Sequence, residues 1–179
     1  MRKFLVNILL AFDKHIAEFI KIPKNINFSA NEKCFKELTL ISKEARKRKI
    51  ELVIIGSWAL VILLKRNFKH INDIDLIGKN SCLKKLRKLL FDLGYKKEIP
   101  KWPHTYRFSK NNIEVEFNDS NHMLSKVPLE TKNIFYIKET FVVASTKTLF
   151  KMYTKLFLRK GRNHKADLTK LKMLQYSKT

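Results

Sequence analysis

Asp73 and Asp75 stand two residues apart in a short apolar run, Asn72-Asp73-Ile74-Asp75-Leu76-Ile77. If that run is a strand, its side-chain period of two puts both carboxylates on one face, about 6–7 Å apart along the backbone. Carboxylates held side by side repel each other, and a cation between them relieves the repulsion. An oxygen-only ligand pair suits Mg²⁺ or Mn²⁺ rather than zinc. Upstream, Leu52-Val53-Ile54-Ile55 reads as a buried strand. Gly56-Ser57 breaks it, and Trp58 to Leu64 is apolar at nearly every position, as in a buried helix. A strand–Gly-Ser–helix unit brings backbone N–H groups to a helix N-terminus, where phosphate binds well. A phosphate cradle facing a metal-binding acid pair is equipment for phosphoryl or nucleotidyl transfer. The plainer alternative is a surface turn with two solvated acids; the apolar setting of both acids favours the functional reading.

This stretch resembles the nucleotidyltransferase superfamily that includes DNA polymerase beta, and within it the aminoglycoside and lincosamide adenylyltransferases. Those carry a Gly-Gly-Trp-Ala opening, a helix, then Arg, a Lys-His pair and an Asp-x-Asp-Leu strand. The matching residues are Gly56, Ser57, Trp58, Ala59, Arg66, Lys69, His70, Asp73, Asp75 and Leu76. Ser57 departs from the second glycine, although Gly-Ser is the commoner form in the wider superfamily.

The resemblance implies an α+β (mixed α/β) nucleotidyltransferase fold, a small mixed β-sheet flanked by helices with further helices at the C-terminus. It also implies an NTP co-substrate, Mg²⁺ or Mn²⁺ as cofactor, and a third carboxylate on a strand arriving from a hairpin. Here Ile113-Glu114-Val115-Glu116-Phe117 follows the turn Asn111-Asn112. Glu114 and Glu116 share a face, and either can supply that carboxylate, with Glu116 favoured. Asp73, Asp75 and Glu116 would then hold the metal. Gly56 and Ser57 would serve the leaving phosphates, while Arg66, Lys69 and His70 touch phosphate or steady the metal strand. Lys155 and Arg162 are the best candidates among the C-terminal cations for reaching the triphosphate. His104, Tyr106 and Arg107 are candidates for lining the acceptor pocket, and Trp58 is expected in the core.

The chain has 38 Lys and Arg against 16 Asp and Glu, a net charge of +22 spread along its whole length. Such a surface attracts polyanions, although Lys-, Asn- and Ile-rich usage also follows from an AT-rich genome. The charge places RNA or tRNA slightly ahead of an aminoglycoside- or lincosamide-like small molecule as acceptor. Superfamily members that act as toxins make an antitoxin-like protein partner a further expectation. A non-catalytic, basic nucleic-acid-binding module on the same fold is the alternative reading. Cys34 and Cys82 lie far apart without ligand spacing, which argues against a zinc site or disulfide framework. No run approaches the ~20 apolar residues of a membrane span. Met1-Arg2-Lys3 and the apolar residues after it lack a small-residue cleavage site, so a cytoplasmic location is expected.

Three segments are expected: N-terminal helices over 1–50, a catalytic core over 51–144 and a helical part over 145–179. Helical spacing of Phe4, Leu5, Ile8, Leu9, Phe12, Ile16, Phe19 and Ile20 predicts a first amphipathic helix. A second begins at Asn31-Glu32 with Phe35, Leu38, Ile41 and Ala45 inward. Ser81 is expected to cap a helix that runs through Leu93 and stops at Gly94. Short strands follow at Tyr95–Ile99 and His104–Phe108, and the Asn-Asn hairpin leads into Ile113–Phe117. The alternation of Glu with apolar residues in that last run would ordinarily mark an edge strand with one wet face, but the resemblance makes that face the place of the third carboxylate. Asn118 to Thr131 reads as an irregular active-site loop, with short strands at 134–137 and 141–143. Ser145 or Thr146 caps a helix through Leu158, and a final helix covers His164 to Gln175.

Overall fold

The computed structural model describes residues 31–65, 71, 73–98, 104–124, 127–157 and 164–176. The amphipathic segment 1–20, Arg66, Lys69, His70 and Arg162 lie outside the described residues. In chain order the elements are α1 (Glu32–Lys47), β1 (Val53–Ile54), α2 (Gly56–Leu64) and β2 (Asp73–Gly78). Next come a 3₁₀ turn (Asn80–Cys82), α3 (Leu83–Asp92), β3 (Lys96–Glu98), β4 (Thr105–Lys110), β5 (Ile113–Asp119) and α4 (Ser120–Met123). Strands β6 (Thr131–Tyr136) and β7 (Glu139–Ala144) and helices α5 (Thr146–Phe157) and α6 (His164–Tyr176) complete the order. The seven strands form one mixed sheet in the order β3-β4-β5-β2-β1-β7-β6. Strands β2 and β5 run parallel, as do β1 and β7, and the other neighbouring pairs are antiparallel.

Local sequence accounts for most of these elements. Helix α1 turns Cys34, Phe35, Leu38, Ile41 and Ala45 inward, with Glu32 in its first turn and Arg46 and Lys47 in its last, as the helix dipole favours. Helix α2 is apolar all round and accordingly buried, with Trp58 only 1% exposed. Asn111 and Asn112 both take positive φ (49° and 64°), the requirement of a two-residue type I′ hairpin between β4 and β5. Helix α3 ends with Gly94 at φ +84°, where Gly94 N–H donates to Phe91 O and Tyr95 N–H to Leu90 O. Helix α1 ends with the same bond pattern, but Lys49 occupies the left-handed position at φ 51°. Ser145 Oγ accepts the Thr148 N–H at 3.1 Å, which caps α5 as expected.

Two expectations need correction, and the place of β5 in the sheet is decided. Ser81 sits inside the 3₁₀ turn, and α3 starts at Leu83 with no side-chain cap bond. Strand β5 is interior, between β4 and β2. Its alternation reflects one buried face and one face lined with polar groups. The segment after Phe117 is not simply a loop: Asn118 and Asp119 extend β5 and are buried, and α4 follows.

Helices α1 and α3 cover one face of the sheet, where Phe35 meets Phe141 and Phe91 meets Phe108 with ring centroids 5.8 and 6.2 Å apart. Glu37 on α1 anchors that layer by accepting from Tyr95 Oη at 3.0 Å and Lys110 Nζ at 2.9 Å. Arg46 at the end of α1 reaches the other sheet edge, donating to Glu139 and to the Thr140 carbonyl. One cluster of buried apolar side chains runs from Cys34 to Leu174. Among the described residues no helix is long and apolar enough to cross a membrane.

Candidate active site

Strand β2 buries Ile74 and Leu76 on the helix-covered face and turns the half-buried Asp73 and Asp75 to the other. In the parallel register with β5, Asp73 lies opposite Glu114 and Asp75 opposite Glu116. Register partners point to the same side of a sheet, and neighbouring strands lie about 4.8 Å apart. Four carboxylates therefore converge on one patch. Strand β4 adds Arg107, the direct register partner of Glu116.

The two glutamates differ in their surroundings. Arg107 Nε and Nη2 both donate to Glu116 Oε2, at 3.0 and 2.8 Å. Asn118 Nδ2 donates to Glu116 Oε1 at 3.2 Å, and Asn118 is itself held by the Thr105 hydroxyl at 3.1 Å. Glu114 has a looser approach from Arg107 at 3.7 Å, and its side chain is 44% exposed against 22% for Glu116. Glu116 is the oriented carboxylate of the pair and sits beside Asp75.

The strand–Gly-Ser–helix turn closes on the same patch. Ile55 N–H donates to the Asp75 carbonyl at 2.9 Å. Gly56 follows at φ +70°, and a Cβ placed there would lie 1.9 Å from Asp75 Oδ2. Glycine is required twice, by the backbone angle and by the carboxylate pressed against its Cα. This contact joins the backbone of the candidate phosphate cradle to the acid pair. The half-buried Ser57 opens α2 beside it. The donor set is all oxygen and comes from two rigid adjacent strands, which fits a hard divalent cation.

The other candidates have the following surroundings. Trp58 is core: its Nε1 donates to Cys34 Sγ at 3.3 Å and its ring lies 5.4 Å from that of Phe35. Tyr106 takes the face opposite Arg107 and packs near Phe117, with ring centroids 6.4 Å apart. His104 precedes β4 and stacks on His122. Lys155 Nζ donates to the Leu124 carbonyl at 3.4 Å, at the end of α4. Asn118 was hidden from the sequence reading, because its segment looked irregular. The opposition of Arg107 to Glu116 follows only once the Asn-Asn turn is used to count hairpin register.

Comparison with known proteins agrees with this geometry. The family model described as aminoglycoside-2''-adenylyltransferase matches residues 37–139, more than half of the chain. The chain belongs to that family. It is thus an enzyme of the nucleotidyltransferase class, and the matched span contains the Gly-Ser turn, both aspartates and both glutamates. No curated protein sequence matches it. Among solved structures, the antibiotic-resistance factor ANT(2'')-Ia superposes with a TM-score of 0.69 at 13% identity, covering 83% of this chain and 86% of that one. The lincosamide antibiotic adenylyltransferase LnuA, solved with lincomycin, gives a TM-score of 0.58 at 18% identity over 78% of this chain and 95% of that one. The Megavirus polyadenylate synthase gives 0.56 at 16% identity over 91% of this chain but 35% of that one. At these identities the structures establish a shared nucleotidyltransferase fold.

Proposed function

We propose that the chain transfers a nucleoside monophosphate from an NTP to a hydroxyl acceptor with release of pyrophosphate, using Mg²⁺ or Mn²⁺ held by Asp73, Asp75 and Glu116. The observation that carries this reading is the β2–β5 register, which sets Asp75 beside Glu116 with Gly56 pressed against the Asp75 carboxylate. When bound, the divalent cation would neutralise phosphate charge and lower the pKa of the acceptor hydroxyl.

The chain's own groups supply the rest. The backbone of Gly56 and the N–H and hydroxyl of Ser57 bind the leaving phosphates. Arg107 and Asn118 hold the Glu116 carboxylate in one orientation, so it meets the acceptor without a rotamer search. Glu116 takes the hydroxyl proton as the acceptor oxygen bonds to the α-phosphorus and pyrophosphate departs. Arg66, Lys69 and His70, just upstream of β2, and Lys155 and Arg162 near the C-terminus are proposed contacts to the triphosphate.

Two acceptor classes rest on two different observations. The net charge of +22 favours a polyanion, an RNA or tRNA end. Family membership favours an aminoglycoside- or lincosamide-like small molecule. The test is incubation with α-labelled NTPs and Mg²⁺ or Mn²⁺, in separate arms with total tRNA, an aminoglycoside panel and lincomycin. An Asp73→Ala/Asp75→Ala variant runs alongside. Label should appear on one acceptor and fall by at least about 10³-fold in the variant. Equal RNA binding by both proteins, with no transfer in any arm, would instead establish a non-catalytic binding module.

A further inference from the structure

At the end of β5, away from the acid patch, three metal-ligating side chains converge. The ligand atoms of His104, Asp119 and His122 all lie within 4.8 Å of one another. Asp119 is opposite Gly78 in register and follows the parity of Val115 and Phe117, so it faces away from Glu114 and Glu116. Its group does not overlap the acid patch.

Backbone hydrogen bonds bring the three residues together. The Asp119 N–H donates to the His104 carbonyl at 3.2 Å, which ties the residue before β4 to the end of β5. Asp119 Oδ1 accepts the Asn121 N–H at 3.1 Å and so fixes the start of α4, on which His122 sits. The two imidazoles stack with centroids 3.3 Å apart and planes 8° from parallel. His104 holds this position at φ +66°, a conformation that side chains other than glycine rarely adopt. Asp119 is only 5% exposed, whereas both histidines are open to solvent. A buried carboxylate with one oxygen committed to a backbone N–H, and two imidazoles beside it, form a nitrogen–nitrogen–oxygen donor set. Imidazole selects Zn²⁺, Co²⁺, Ni²⁺ or Fe²⁺ over Mg²⁺.

We propose that His104, Asp119 and His122 form a transition-metal site of the zinc class. Two ligands of one zinc lie no more than about 4 Å apart at Zn–N and Zn–O lengths near 2.1 Å. An imidazole binds a metal in its own ring plane, so the two exposed histidines must turn out of their parallel stack for all three donors to reach one ion, with the fourth position open to water. The ion clips His104, at the entrance to β4, to α4, and the Asn121 N–H, by donating to Asp119 Oδ1, orients the carboxylate ligand.

The probe is Co²⁺, titrated into untagged, chelator-stripped full-length protein at neutral pH and followed by its visible d–d absorption and by metal content after desalting. One Co²⁺ per chain should bind, be displaced by Zn²⁺ and persist in an Asp73→Asn/Asp75→Asn variant. Affinity should fall by at least about 100-fold in His122→Ala, His122→Gln and His104→Gln, the scale of losing a ligand and not merely a group that hydrogen-bonds to one. Circular dichroism of the two His122 variants, altered at an exposed position, checks that they remain folded. Unchanged binding in folded His122 variants would overturn the site, as would binding lost only in the Asp73/Asp75 variant or no Co²⁺ bound at micromolar concentration. These results are independent of nucleotide transfer.

Discussion

Strand β5 carries two clusters of potential ligands that are built in different ways. At its start, Glu114 and Glu116 line up with Asp73 and Asp75 through parallel pairing with β2, so two strands with acids at every second position suffice. At its end, Asp119 meets one histidine from before β4 and another from α4, so three separate pieces of chain must arrive together. The first arrangement is all oxygen and bordered by a backbone turn, suited to a hard cation and phosphate. The second is rich in nitrogen and open to solvent, suited to a borderline metal with a fixed ligand geometry. Opposite strand faces keep them independent.

The sharpest way to break this comparison is Gly56→Ala. Its Cβ would displace the Asp75 carboxylate and sit on a left-handed backbone, so transfer should drop by at least about 10²-fold. Co²⁺ binding by the histidine group should stay within about twofold of wild type. Loss of both together, with circular dichroism unchanged, would show that the two ends are coupled.

A second pair of variants tests the inequality within the acid patch. Glu116→Gln should lower turnover by about 10²–10³-fold, the scale of a lost positioned base, and Glu114→Gln by less than about tenfold. Steady-state kinetics with the acceptor identified by labelling reads both. The reverse order would transfer the third-carboxylate role to Glu114 and leave the Arg107 pairing as structural.

The smallest effect concerns the layer under both ends. Burial raises the Cys34 thiol from 9.0 to about 11, and burial with the nearby Glu37 charge raises the Tyr95 phenol. Both groups stay protonated in the folded chain while the unfolded chain ionises. The stability they contribute is full below the unfolded values and is lost as pH rises through the folded ones. The thermal midpoint should fall between pH 9 and 11, and Cys34→Ala should flatten part of that slope. An identical slope in the variant would remove the thiol from the account.

Much of the acid patch was legible from local rules, and the family resemblance supplied the third carboxylate. Period two fixed the face of Asp73 and Asp75, and the Asn-Asn turn fixed the hairpin that delivers Glu116. The apolar run after Gly56-Ser57 marked a buried helix. Where sequence reading failed, a local pattern had a nonlocal cause. The polar run after Phe117 looked like a loop because the buried Asn118 and Asp119 carry no apolar signal, yet they extend β5. Ser81 looked like a cap because a 3₁₀ turn in front of a helix leaves no periodic trace.

By itself, the sequence determined the strand–Gly-Ser–helix unit and the spacing of the acids, each set by neighbours within a few residues, and the strong positive charge, which is composition alone. The tertiary structure alone decided which glutamate is oriented. That choice depends on Arg107 and Asn118 arriving on the Glu116 side of the sheet. It also decided that His104 and His122 meet at Asp119, a contact fixed by strand pairing and helix placement and invisible to sequence spacing.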